Sequence, residues 1–430
     1  MYKYFTGLKG ILRFFSDKKN AIACEVLLDI FSNFYAKHGK HQIETILENN
    51  FYNSLQNRAS IMQSINNNTI TGYDSHKKSV LVFFNHYRNI EHFNSLLNYL
   101  KSKDYQIIYV TVWSNMNAVF CMQNDIPALY ANIFLGQYEL EAQRDDFAML
   151  FMTLFKNFNI EFILQDEWTS HPLRGFYQGW PKFSDCPPIF CMRHSLSTFY
   201  EMPNNQKEFY EKNIMRYFVW GNYHKKFFYK QSDKVIPSGY NKLDSYNGID
   251  AKEDNEIFCV GNHIYLDSQI SWKRIIHSLL TDSDAIIKYK PHPDERTYAL
   301  ENFRNEILAD LSLAARQRFI MLDQYEPYIH DLSSCRLVVS FGSNLVADAL
   351  ALDKSVCLLP SNYARDPIYT MTPGNVLLLP SNIEPNAKNI LAHAERVRAS
   401  RDRVLEFRAG LLSHLFTSTT FIYDAIISES

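Results

Sequence analysis

Short apolar stretches that alternate with longer helical stretches constrain the fold of this chain more than any other feature. They lie at 79–84, 105–112, 160–165, 187–192 and 216–220 in the first half, and at 256–260, 285–290, 318–322, 336–341, 355–359 and 375–379 in the second. They are rich in β-branched or aromatic residues and apolar on both faces, as the strands of a covered parallel sheet are. The alternation predicts an α/β chain with two doubly wound, Rossmann-like domains that face each other across a central cleft.

A polar stretch at 235–256, which carries two glycines and a run of charges, interrupts this alternation. It predicts a linker between the two domains, and a length of 430 residues suits two or three domains of about 150 residues each. The predicted organisation is a helical segment at 1–75, a first Rossmann-like domain at 76–240, a linker at 241–255, a second Rossmann-like domain at 256–384 and C-terminal helices at 385–430.

Charge and cysteine content bound the function. The 44 basic and 46 acidic residues leave a formal net charge of -2, which gives no support for a nucleic-acid surface. Seven cysteines without a CxxC motif predict buried, reduced thiols, with Cys259 and Cys357 inside strands. We expect no secretory signal, and we find no apolar run near the ~20 residues that a membrane span needs. We therefore expect a cytoplasmic protein.

The first 19 residues mix aromatic and aliphatic side chains with five basic ones, among them Lys3, Lys9 and Arg13. As a helix, this segment would be basic and amphipathic, which suits peripheral contact with the inner face of the cytoplasmic membrane. A helix that packs on the protein's own core is the alternative, because the same spacing of apolar residues is common in ordinary helices.

Small or hydrogen-bonding residues follow three of the predicted strands in the second half. The candidate ligand-binding residues are Gly261 and Asn262 after the first, Lys288, Lys290, His292 and Pro293 at the second, and Ser340, Gly342, Ser343 and Asn344 at the third. Because the carboxyl ends of parallel strands share an edge where ligands bind, we expect the three loops to converge.

These residue types suit a phosphate. Gly342 lets the backbone approach a ligand closely, and Ser343 or Asn344 can cap the helix that begins near Leu345, where free N–H groups favour an anion. His292 is held stiffly between two prolines and can donate to a phosphate or hold a proton for a leaving group. The alternatives are a plain serine-capped turn and a rigid turn with an exposed histidine.

One stretch has the composition of a metal site. Asp282-Ser283-Asp284 is a DxD string, but it precedes a predicted strand and therefore lies at the wrong edge of the sheet. We interpret it as a helix-to-strand turn. Carboxylates, histidines and cysteines elsewhere lack the spacing of metal ligands, so the sequence predicts neither a metal nor another cofactor.

The first half offers candidates for a general base. Asp166 and Glu167 follow the strand at 160–165, and His194 follows the strand at 187–192. A carboxylate or an imidazole at this edge can deprotonate a hydroxyl group of an acceptor. The alternative is that these are polar residues solvated at strand ends.

Two segments carry a resemblance to a known group. "YKPHPDE" at 289–295 and, about fifty residues later, "VVSFGSNLVADALALDKSVCLL" at 338–359 resemble the C-terminal half of bacterial surface-polysaccharide transferases with the GT-B fold. The group includes polysialyltransferases, capsular Kdo transferases and CDP-glycerol glycerophosphotransferases. The resemblance covers roughly residues 160–380.

The resemblance implies a metal-independent glycosyltransferase that moves a sugar from a nucleotide-activated donor, with a CMP-sugar favoured, to a glycan or glycolipid acceptor of the bacterial capsule or lipopolysaccharide. It implies that His292, Ser343 and Asn344 hold the donor phosphates and that His194 lies near the acceptor. Asp348 stands in the helix where the group carries a glutamate that can hold a ribose. Two alternatives stay open: transfer of a polyol phosphate from CDP-glycerol or a relative, and a non-catalytic glycan-assembly protein of the same fold.

Overall fold

The computed structural model describes residues 74, 76–84, 89–111, 128–129, 159–166, 187–193, 214–225, 233–261, 266–292, 297–323, 327–360 and 376–429. The helical segment predicted at 1–75 lies outside these residues except for Asp74. Within the described residues, the strands form two parallel sheets, one of seven strands and one of five. The predicted α/β class with two covered parallel sheets is confirmed.

The first sheet contains β1 (Ser79–Phe84), β2 (Gln106–Thr111), β3 (Ala128–Leu129), β4 (Ile160–Asp166), β5 (Ile189–Met192), β6 (Arg216–Val219) and β7 (Val235–Pro237). Their spatial order is β3-β2-β1-β4-β5-β6-β7. Apolar side chains continue from strand to strand on each face. On one face Phe190 contacts Phe162 and Phe218, with ring centroids 5.9 and 6.1 Å away.

The second sheet contains β8 (Asp254–Val260), β9 (Ile286–Lys290), β10 (Phe319–Met321), β11 (Cys335–Ser340) and β12 (Ser355–Leu358), in the order β10-β9-β8-β11-β12. One predicted strand is corrected. The stretch at 375–379, of which 376–379 are described, forms no strand there, and its Leu378 makes an isolated bridge with Leu358. It runs beside the end of β12 without the continuous ladder that defines a strand.

The helices are α1 (Asn89–Ser102), α2 (Asn222–Lys225), α3 (Leu266–Asp282), α4 (Thr297–Leu308), α5 (Leu313–Gln317), α6 (Ile329–Ser334), α7 (Leu345–Ala351), α8 (Ala387–Ala399), α9 (Arg401–Leu411) and α10 (Ser418–Ile427). A 3₁₀ helix at Asn241–Tyr246, called the linker helix below, joins the two sheets in sequence. None of the described helices combines the length and the apolar character that crossing a bilayer requires.

The second sheet is covered on both faces, because alternate residues of each strand point to opposite sides. On one face Ile257 and Cys259 pack beneath α3, α4 and α8, whereas on the other Phe258 and Val260 pack beneath α7 and the linker helix. Cys259 and Cys357 are buried free thiols, as predicted. Burial raises the pKa of the Cys357 thiol to about 12.

The chain crosses between the sheets twice, once through the linker helix and once through the segment between α9 and α10. The two crossings are bonded together, because the Asp244 carboxylate accepts hydrogen bonds from the backbone N–H groups of Ser418 and Thr419 at 3.1 and 2.6 Å. Gly239 packs so closely against residues 413 and 418 that a Cβ atom there would clash with both. The C-terminal helix α10 then returns to α1, where the rings of Tyr423 and Tyr99 meet at 5.2 Å.

Candidate functional site

Three strand ends meet at the carboxyl edge of the second sheet. The last residue of β8, Val260, is in register with Lys290 of β9 on one side and with Ser340 of β11 on the other. The loops that follow these strands therefore share one edge and span about 10 Å, which is two strand spacings. Since β9 and β11 lie on opposite sides of β8, this edge is also a switch point in strand order, where ligands of doubly wound sheets bind.

The loop between β11 and α7 is held by its own serines. The Gly342 N–H donates to Ser340 Oγ at 3.1 Å, and the Leu345 N–H donates to Ser343 Oγ at 3.4 Å. Gly342 has φ +96°, which a residue with a Cβ adopts only with strain. Ser343, rather than Asn344, thus supplies the side-chain hydrogen bond to the first turn of α7.

The neighbouring loop begins at the end of β9. The Gly261 N–H donates to the Lys290 carbonyl oxygen at 2.8 Å and joins the ends of β8 and β9. Lys290 Nζ donates to the Asp323 carbonyl oxygen at 2.5 Å and lies 5.5 Å from the ring centroid of Tyr328. His292 is half-buried, two residues past the strand and directly after the buried Pro291. Of the predicted residues in these loops, Asn262 and Pro293 lie outside the described part of the chain.

Lys288 is placed away from the three loops. Its Nζ pairs with Glu256 at 2.7 Å and with Asp331 at 2.8 Å, and its side chain is 11% exposed. Although burial alone would lower the pKa of Lys288, its bonds to Asp331 and Glu256 raise it above the ordinary value. Glu256 is in register with Ile286, two residues earlier on β9. The ammonium group therefore points towards the amino end of the sheet.

Asp348, in the first turn of α7, is only 1% exposed and has three side-chain partners. Its carboxylate accepts hydrogen bonds from Tyr246 Oη at 2.7 Å and Tyr328 Oη at 3.2 Å, and it pairs with Lys242 Nζ at 3.2 Å. Sequence reasoning missed these three partners. The available signal was an acidic residue in an apolar helical stretch, which needs a partner when buried, but nothing in the sequence identified the partner.

At the carboxyl edge of the first sheet, β1 and β4 form the corresponding switch point. Asp166 is the last residue of β4 and is fully buried, and Arg193, directly after β5, is 4% exposed. The neighbouring Gln165 is 1% exposed, and neither polar atom of its amide has a hydrogen-bond partner among the described residues. Glu167 and His194, the other two predicted base candidates, lie outside the described residues.

His224 in α2 is a further buried polar residue at this edge that sequence reasoning missed. Its ring meets the ring of Trp220 at 5.6 Å, and Trp220 Nε1 donates to the Arg193 carbonyl oxygen at 2.8 Å. Burial and the nearby Arg193 guanidinium lower the pKa of His224 well below its ordinary value, so the imidazole is neutral. Neither ring nitrogen has a hydrogen-bond partner within the described part of the chain.

The described residues contain no group of three or more histidine, cysteine, aspartate or glutamate side chains arranged to hold a metal ion. The DxD string lies where the sequence predicted it, between the end of α3 at Asp282 and the start of β9 at Ile286. This turn is at the amino edge of the sheet, opposite the three loops.

Solved structures share this arrangement of two parallel sheets. A glycosyltransferase from Rickettsia africae is similar over 82% of this chain and 100% of its own, with 13% identity and a TM-score of 0.55. The fold is GT-B. A UDP-GlcNAc 2-epimerase from Neisseria meningitidis, bound to UDP-GlcNAc, is similar over 81% of this chain and 100% of its own, with 12% identity and a TM-score of 0.56.

The wall teichoic acid polymerase TagF, in its H548A form, covers a larger share of this GT-B chain. The similarity extends over 91% of this chain and 98% of the TagF chain, with 10% identity and a TM-score of 0.51. No protein-family model and no curated protein sequence matches the chain. At these identities the comparisons establish the fold, whereas the activity has to be argued from the site.

Proposed function

We propose that this protein is a glycosyltransferase that moves a sugar from a nucleotide-activated donor to a glycan of the bacterial surface, in the capsule or in lipopolysaccharide. One observation carries the proposal: Lys290 and Ser340 flank the end of β8 in register, so the loop with His292 and the loop with Gly342 open at the same edge of the second sheet. A ligand at this edge would meet an imidazole, an ammonium group and a close backbone approach together.

The proposed chemistry is stabilisation of the negative charge that develops on the departing phosphate. Lys290 and the polar groups of the Gly342–Asn344 loop hold the donor phosphates, and His292 donates a hydrogen bond to the leaving oxygen. Lys288 is left out of this set, because Glu256 and Asp331 already pair with its ammonium group. The mechanism uses no metal ion, and addition of a chelator should leave the transfer rate unchanged.

A base at the edge of the first sheet would activate the acceptor hydroxyl. Asp166 is the described candidate, because it ends β4 beside the switch point of that sheet; His194 and Glu167 remain candidates from their sequence positions. The base takes the proton as the acceptor oxygen bonds to the anomeric carbon and the nucleotide leaves with the electrons of the broken bond. A surface-glycan acceptor would place the enzyme at the inner face of the cytoplasmic membrane, where we propose that residues 1–19 make the contact.

The donor nucleotide is the first thing to test, and a cytidine nucleotide is the expected one. Thermal unfolding is measured with CMP, CDP, UDP and GDP, and the preferred nucleotide should raise Tm by about 5 °C at about 100-fold excess over its Kd. His292→Ala should then reduce transfer by about 100-fold, as loss of a proton-donating group does. His277→Ala, in α3 and towards the opposite edge of the sheet, is the matched control. Full transfer by His292→Ala would rule out this donor site.

A second candidate is transfer of a polyol phosphate from a cytidine-activated donor. This candidate is supported by the structural similarity to a wall teichoic acid polymerase, which extends over 91% of this chain. The same edge would bind the nucleotide, but the acceptor alcohol would attack phosphorus instead of carbon. The two reactions are distinguished by the phosphorus content of the product, because glycosyl transfer adds none and polyol-phosphate transfer adds one phosphate per step.

A further inference from the structure

The linker helix is fastened to α7 by a buried group of four side chains. Lys242 Nζ donates to Tyr328 Oη at 2.7 Å and pairs with Asp348 at 3.2 Å, while Tyr246 Oη donates to the same carboxylate at 2.7 Å. Burial alone would lower the pKa of Lys242, but the Asp348 carboxylate raises it well above its ordinary value, so the lysine stays charged. The charged lysine is thus held in place by Asp348 and Tyr328.

This ion pair lies one helical turn from the proposed phosphate loop. Asp348 is four residues past Asn344, and α7 begins directly after the loop. All seven residues of α7 are buried, and apart from Asp348 they are apolar. Apolar contacts fix the depth of a helix but tolerate small rotations, whereas hydrogen bonds to one carboxylate fix its direction. Asp348 therefore determines how α7 presents the residues at its start.

The other end of the connection reaches the first sheet. Tyr240, directly before the linker helix, stacks on Trp220 at 4.0 Å and makes a short hydrogen bond with His92 of α1. Asp244, within the linker helix, accepts the two hydrogen bonds from the start of α10. A movement of the first domain that shifts α1 or α10 is therefore transmitted to the linker helix, and from there to α7.

We propose that Lys242 and Tyr246 are positioning residues that hold the phosphate loop through Asp348, so that donor affinity depends on where the interdomain linker lies. The inference rests on the proposed function, since it concerns the same nucleotide site. It gives Asp348 a role in orienting the loop, with both carboxylate oxygens committed to Tyr246, Tyr328 and Lys242. A buried ion pair adds little net stability compared with apolar side chains, but it specifies geometry, which suits this role.

The test compares nucleotide affinity in Lys242→Met, Lys242→Arg and Tyr246→Phe, using the nucleotide that stabilises the wild-type chain most. Lys242→Met should weaken binding by about 10-fold and Tyr246→Phe by about 3-fold, as loss of hydrogen bonds to a charged group does, with the KM of the acceptor unchanged. Lys242→Arg keeps the charge and should restore most of the affinity. Lys273→Met, which removes an exposed ion pair to Glu306 at 2.9 Å, is the control and should bind as the wild type does.

Amide hydrogen exchange of residues 345–351 supplies a readout that is independent of any nucleotide. Exchange there should be faster in Lys242→Met and Tyr246→Phe than in Lys273→Met. Wild-type nucleotide affinity in both variants would overturn the proposal, and so would lost affinity in Asp348→Asn alone, which would mean that Asp348 contacts the donor directly. If none of the nucleotides binds the wild-type chain, the proposed function is wrong. If, in addition, residues 345–351 exchange equally fast in all three variants, Lys242 and Tyr246 do not hold α7 in place. If Lys242→Met fails to fold, Tyr246→Phe, which removes a single hydroxyl group, decides.

Discussion

The carboxyl edges of the two sheets differ in how their polar groups are satisfied. At the second sheet, Lys290 donates to the Asp323 carbonyl oxygen and Asp348 is bonded to three side chains. At the first sheet, buried polar atoms of Gln165 and His224 have no hydrogen-bond partner among the described residues. The edges are thus built from the same strand arrangement but with different electrostatics.

Under the proposed function, this difference would suit a fixed donor site at the second edge and the binding of hydroxyl groups at the first. Paired charges preorganise a site, because each partner restrains the position of the other. The side chains therefore rearrange little when a ligand binds. Neutral groups such as an amide and an uncharged imidazole can donate and accept, which matches the hydroxyl groups of a sugar. A buried polar group left without a partner costs about 1–3 kcal/mol, and the described residues supply none to Gln165 or His224.

The largest effect is expected where the two crossings of the chain meet beside the first edge. A Cβ at Gly239, which has φ +86°, would lie 2.1 Å from Ser418 Oγ and 2.2 Å from the Ser413 carbonyl oxygen. Gly239→Ala should therefore lower the free energy of unfolding by about 3–5 kcal/mol, as overpacking and left-handed strain together do. Gly248→Ala measures the backbone strain without the clash, because Gly248 has φ +83° and a Cβ there would have no atom within 4 Å. It should lose about 1–2 kcal/mol, and urea titrations of both variants measure the two losses.

Equal losses in these two variants would mean that the close packing between Gly239 and residues 413 and 418 contributes nothing to stability. The first edge would then not be held by the crossing segment. In that case, the difference between the two edges would lie only in the charged groups of the second edge.

A smaller effect is expected from Lys288 at the second sheet. Lys288→Met leaves the carboxylates of Glu256 and Asp331 without the ammonium group between them, and the loss should be about 2 kcal/mol, below that of a fully buried pair. Nucleotide affinity should stay within about 2-fold of wild type, because the side chain points away from the three loops. Lys273→Met again serves as the control, since an exposed pair contributes about 0–1 kcal/mol. A loss of nucleotide affinity of about 10-fold, as expected for Lys242→Met, would show that Lys288 binds the donor after all.

Much of this fold follows from local sequence pattern. The five predicted strands of the first sheet all occur, because each is a short run of β-branched or aromatic residues between helical stretches. The strands that were missed, β3 and β7, are two and three residues long. β7 ends at Pro237 within a polar stretch, so its pairing comes from the neighbouring strand β6 and not from its own composition.

The candidate site was predictable only in part. The shared edge of the His292 and Gly342 loops follows from parallel strand direction, which the alternation of elements predicts. The partners of Asp348 and Lys288 do not follow from any pattern, because Tyr246 and Asp348 are 102 residues apart and Glu256 reaches Lys288 from another strand. Such pairs depend on tertiary packing, which a single sequence does not specify residue by residue.

The smallest effect is expected in the pH dependence of stability. It tests whether the ring nitrogens of His224 lack hydrogen-bond partners, as the comparison of the two edges assumes. The folded chain keeps this imidazole neutral, with its pKa lowered by burial and by Arg193, whereas the unfolded chain binds a proton below its ordinary pKa of about 6.5. The unfolded state therefore binds more protons as pH falls below about 6.5, and stability should fall by roughly 1 kcal/mol per pH unit. His224→Met should remove that slope and leave the smaller contributions of His393 and His414, whose pKa values burial also lowers.

At pH 7.5 the two histidines should respond differently to the same substitution. His393 Nε2 bonds to the Leu377 carbonyl oxygen at 3.1 Å, so His393→Met should cost about 1 kcal/mol. His224→Met removes two nitrogens that have no hydrogen-bond partner among the described residues, and it should leave the free energy of unfolding unchanged or raise it. A loss above about 2 kcal/mol in His224→Met, with an unaltered pH slope, would mean that the imidazole is bonded in solution. His224 would then no longer distinguish the first edge from the second, and the contrast would rest on Gln165.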